Sequence, residues 1–75
     1  MINTVTITKV REDAVQGYTL NAKGKKNVAV SLSRSDLGQW ADSAAKGDRF
    51  VMSYAALGES YPAQILDVHG VVKLN

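Results

Sequence analysis

Seventy-five residues leave room for one modest core and no large cleft, because a chain this short buries a smaller share of its surface than a domain twice its size. The hydrophobic fraction of 45% and the charged fraction of 21% are ordinary globular values that exclude a disordered chain, and no apolar run approaches the roughly 18 residues of a membrane-spanning helix. The net charge of +2 hides an asymmetry: residues 1–34 carry six Lys/Arg against two Asp/Glu (+4), and residues 35–75 carry three against five (−2).

The chain contains no cysteine, which excludes disulfide staples and thiolate metal sites, so stability must come from packing. Met1-Ile2-Asn3-Thr4 lacks the basic and apolar regions of a signal peptide, and the expected address is cytoplasmic with no membrane contact.

In chain order, residues 2–10 alternate Val5 and Ile7 against Thr4, Thr6 and Thr8, a period-2, β-branched pattern that predicts a first strand. Gly17 opens a second run, in which Tyr18, Leu20 and Ala22 share one face and Thr19 and Asn21 the other. Lys23-Gly24-Lys25-Lys26-Asn27 has the length and composition of a hairpin tip, and Val28, Val30 and Leu32 then alternate with Ala29, Ser31 and Ser33 as a third strand. The period changes next. Leu37, Trp40, Ala41, Ala44 and Ala45 fall on one helical face over 34–46, with Ser33 and Asp36 as a capping pair and Lys46 and Gly47 as stop signals. Gly38 weakens that helix by about 1 kcal/mol relative to alanine. A fourth strand over 49–57 places Phe50, Met52 and Tyr54 on one face. The remainder reads as one long bent strand or two short ones, with Pro62 near the start and Gly70 at a bulge or bend.

The order β-β-β-α-β-β predicts a single domain over 1–75, mostly β with one helix, with the architecture of a small five-stranded OB-like barrel. An SH3-like barrel explains the strands without the helix, and a general α+β sheet fits the same elements. Gly17-Tyr18-Thr19-Leu20-Asn21, with Leu37-Gly38-Gln39 and Lys46-Gly47-Asp48, resembles short, scattered pieces of the small OB-fold single-stranded-DNA-binding proteins of filamentous phages, which carry more aromatic residues on their binding strands. The resemblance implies a nucleic-acid-binding barrel.

The residues themselves suggest the same class of partner. Lys9, Arg11, Lys23, Lys25 and Lys26, with Tyr18 and Tyr54 as aromatic platforms, form the candidate site for single-stranded nucleic acid. Cations neutralise phosphates there while rings stack on bases. The plainer alternatives are a solvated hairpin tip for the lysines and a core position for Tyr18. Trp40 reads as the plug of the barrel end, and Tyr61 beside Pro62 as a turn residue. A lone His69 makes a poor metal site, and no nucleophile, zinc-binding or phosphate-loop motif occurs. No enzyme activity, metal or cofactor is therefore expected. The competing expectation is a small protein-interaction or assembly module acting through an exposed β edge, and a symmetric homodimer that buries the last strand suits a barrel of this size.

Overall fold

The computed structural model describes residues 1–20, 23–57 and 63–74, the side chains of Lys26 and Asn27 excepted. Five strands, β1 (Ile2–Val10), β2 (Ala14–Leu20), β3 (Lys26–Ser33), β4 (Arg49–Ala56) and β5 (Gln64–Lys73), close into a barrel in the order β1-β2-β3-β5-β4. All pairings are antiparallel except β3 with β5, which run parallel and meet at Val30 with Gln64 and Ser31 with Ile65. This is the topology of an OB-like barrel.

Alternation along each strand supplies the interior. Val5, Ile7, Val15, Val30, Leu32, Phe50, Met52, Tyr54 and Leu66 point inward, and Leu37 joins them from the β3–β4 connection. β2 begins three residues before the expected start, so Gly17 lies in mid-strand and faces inward. A Cβ at Gly17 would stand 2.3 Å from the Thr6 carbonyl oxygen, so its missing side chain lets β1 cross β2 closely, just before the register shift between Ile7 and Lys9. β5 is one strand, and its bulge falls opposite Ser53 and Tyr54, where the partners step from Gly70 to Val68.

The expected three-turn α-helix does not form. Arg34–Trp40 is a 3-10 segment interrupted at Gly38, whose φ of 56° and ψ of −121° lie outside the helical region and in space that glycine alone adopts readily. Ser33 makes no side-chain capping bond; its hydroxyl pairs with that of Ser35 at 2.8 Å. Turns follow to Gly47, whose φ of 94° fits the left-handed conformation expected of it. The inward face was nonetheless read correctly for four of its five residues. Leu37 is fully buried, Trp40, Ala41 and Ala44 pack against the core, and Ala45 is exposed. Trp40 meets Phe50 edge-on with ring centroids 6.0 Å apart, plugging the barrel end as its apolar surface requires. Among the described residues no helix is long and apolar enough to cross a membrane.

Candidate nucleic-acid interface

Strand parity decides which rings and cations face outward. Along β2 the buried residues are Val15, Gly17 and Thr19, so Gln16, Tyr18 and Leu20 form the outer face. Hydrophobicity did not decide the face at this spot, because it put the apolar Leu20 with Tyr18 on one side and Thr19 with Asn21 on the other. Thr19 is only 2% exposed, and its hydroxyl accepts a hydrogen bond from the Val28 backbone N–H at 3.2 Å. The ladder slips between Tyr18 and Leu20 there, and the hydroxyl satisfies a donor that the slip displaces.

Tyr18 is thus a half-buried residue on the barrel's outer surface rather than a core residue. Its cross-strand neighbours are Thr6 on β1 and Ala29 on β3, both small, so neither side chain overtops the ring. The adjacent row runs Lys9, Gln16, Ser31 and Ile65 across β1, β2, β3 and β5, about 7 Å from the Tyr18 row at two residues per step. On the other side of Tyr18, Leu20 pairs with Lys26 at the start of β3, beside the exposed Lys23 and Lys25. No residue on these rows is acidic. Gln16, Ser31 and Ile65 were not singled out from the sequence; fixing Tyr18 outward by the parity of β2 would have found Gln16.

The register also divides the cations that chain proximity had grouped. β2 is seven residues long, so the β1–β2 hairpin and the β2–β3 hairpin lie at opposite ends of the barrel, roughly 20 Å apart. Arg11, in the first of these hairpins, donates its backbone N–H to the Ala14 carbonyl at 2.8 Å and is followed directly by Glu12 and Asp13. The same end receives the 3-10 segment, where the Arg34 N–H donates to the Asp13 carbonyl at 3.2 Å, and the 41–48 connection, where Gly47 and Asp48 bond to the backbone of Ile7. Glu12, Asp13 and Asp42 gather at that end beside Arg34, whereas Asp48, level with Ile7, pairs with Lys73 at 3.7 Å. An open cleft of about 410 Å³ there is lined by Glu12, Asp13 and Asp42 with Arg34; the Arg34 Nε donates to the Ala41 carbonyl at 2.8 Å. Lys9 remains on the Tyr18 face, whereas Arg11 belongs to the acidic end.

Tyr54 corrects the expected site. Its ring is 3% exposed, and its hydroxyl accepts a hydrogen bond from Asn3 Nδ2 at 2.8 Å. Pointing into the core from β4, it cannot stack on a base. The side chain of Lys26 lies outside the described residues, as do Asn21, Ala22, Tyr61 and Pro62. His69 pairs with Asp67 at 3.2 Å on the exposed surface, and among the described residues no group of three potential ligands is placed to hold a metal. No family model, curated protein or solved structure matches the chain.

Proposed function

We propose that the chain is a binding module for single-stranded nucleic acid, with Tyr18 stacking on a base and Lys9, Lys23, Lys25 and Lys26 neutralising the neighbouring phosphates. The observation that carries this reading is the position of Tyr18: outward on β2, between a threonine and an alanine, on rows free of carboxylates that end at a lysine-bearing hairpin. A ring stacks on any base without demanding a sequence, and lysines track the backbone. Rows without carboxylates that end at the lysine-bearing hairpin favour a strand laid over the Tyr18 end of the β2–β3 face, away from the cleft lined by Glu12, Asp13 and Asp42.

The test is an anisotropy titration of a labelled single-stranded oligonucleotide with the wild type and three variants. Tyr18→Ala is expected to lose about 1 to 3 kcal/mol of binding, the worth of one base stack. Lys25→Glu weakens binding in a salt-dependent way, and Arg11→Glu changes it least. Equal losses for Arg11→Glu and Lys25→Glu would mean that the cations act only through net charge, and an unaffected Tyr18→Ala would remove the stacking platform.

A further inference from the structure

Strand pairing places a second, apolar surface on the outer face of β1, β4 and β5, which meets the Tyr18 row at Thr6 on β1. Three rows cross these strands: Thr6, Arg49 and Leu74; Thr4, Val51 and Val72; Ile2, Ser53 and Gly70. Ala55 and Asp67 form a fourth, shorter row. Ile2 is 70% exposed, Val72 61% and Leu74 49%, and half-buried Val51 joins them at the centre. Large apolar side chains gathered on one sheet face mark a site of association.

Gly70 indicates how this face is covered. Its φ is not positive, and a Cβ built on it would meet nothing nearer than the Ser53 Cβ at 4.0 Å. Gly70 borders the β5 bulge, and its absence of side chain leaves a hollow beside Val72. The charges at the two ends of the face are opposite, with Arg49 on the first row and Asp67, whose carboxylate also meets His69 at 3.2 Å, on the last.

We propose that a second copy of the chain packs on this face through a two-fold axis that lies between the copies and runs across the strands. That operation keeps strand over strand and reverses the order of the rows. Val72 of each copy then enters the hollow over Gly70 of the other, and Arg49 of each lies one strand from Asp67 of the other. A two-fold contact must be self-complementary, and this arrangement is so for Val72 with Gly70 and for Arg49 with Asp67. An axis running along the strands would instead set Arg49 against Arg49. Because the barrel is closed, association uses the sheet's outer face rather than a long free edge. The β2–β3 faces of both copies remain uncovered.

The test is sedimentation equilibrium of the full chain at tens of micromolar, a range suited to a contact of modest area. The wild type is expected at the mass of two chains. Val72→Lys and Gly70→Gln are expected at the mass of one, with far-UV circular dichroism unchanged because both side chains would project outward. Arg49→Asp and Asp67→Arg each turn both symmetry-related charge pairs into like-charge contacts and weaken the dimer by at least about tenfold, and the double variant recovers it. A single-chain mass for the wild type overturns the proposal, and so does a dimer that both Val72→Lys and Gly70→Gln leave intact. A double charge variant no stronger than the single ones overturns the assigned axis.

Discussion

Gly17 and Tyr18 are neighbours with opposite tasks, and the pleat of β2 separates them. Gly17 faces inward, where Thr6 leaves no room for a methyl group, whereas Tyr18 faces out with small residues on both sides. Gly17→Ala is therefore expected to lower stability by about 2 to 3 kcal/mol, since β1 must move to admit the Cβ. Urea denaturation checks this, and an unchanged midpoint would mean that the crossing of β1 over β2 is looser than described. Tyr54 shows why residue type alone misassigns a site. A tyrosine in a short alternating run suits a stacking platform or the core equally well, and the partner that decides between them, Asn3, lies 51 positions away in sequence. The face of Tyr18 was equally open to either reading, because Leu20 makes one side of β2 look more apolar while Gly17 and Thr19 fill the other.

The strands were legible because β-branched alternation is a local property: Val5 and Ile7 against threonines, Phe50 and Met52 against Val51 and Ser53. Their closure into a barrel followed from the order of elements. The segment after β3 was only half legible. Leu37, Trp40, Ala41 and Ala44 do face the core, because the demand to cover the barrel end depends on apolar surface, but the helix expected to carry them is replaced by a 3-10 turn, a break at Gly38 and further turns. Helical spacing over so few residues does not distinguish a continuous helix from successive turns that bury the same side chains. The two conformations predict opposite signs for one substitution. In an α-helix Gly38→Ala would stabilise by about 1 kcal/mol; at φ 56°, ψ −121° it is expected to destabilise by about 1 to 3 kcal/mol, the cost of forcing a side chain into a glycine-only region. Thermal unfolding reads the sign directly.

Across the whole molecule, the charge asymmetry seen along the chain becomes an asymmetry in space, though not along the same boundary. Glu12 and Asp13 belong to the basic half of the sequence but to the acidic end of the barrel, and they take Arg11 with them. The lysines of the β2–β3 hairpin are left as the cationic end, with Lys9 part-way along the face. Chain proximity could not reveal this, because a hairpin sends residues 11 and 23 to opposite ends of the strand between them. Four lysines on the proposed face set an upper bound on the electrostatics. At about 0.7 per phosphate on a single strand, log K should fall by no more than about 3 per tenfold increase in salt. A much steeper slope would require cations from elsewhere on the barrel.

The central claim is that single-stranded nucleic acid lies on the outer face of β2 and β3, and amide chemical-shift mapping with an unlabelled single-stranded oligonucleotide tests it most directly. The account predicts that the largest shifts fall at Gln16, Tyr18, Leu20, Ala29 and Ser31 and at the Lys23–Lys25 tip, with Arg11 to Asp13 and the Ile2, Val51 and Val72 face little changed. Shifts centred on that apolar face or on the acidic end, or no shifts at low salt, would contradict it.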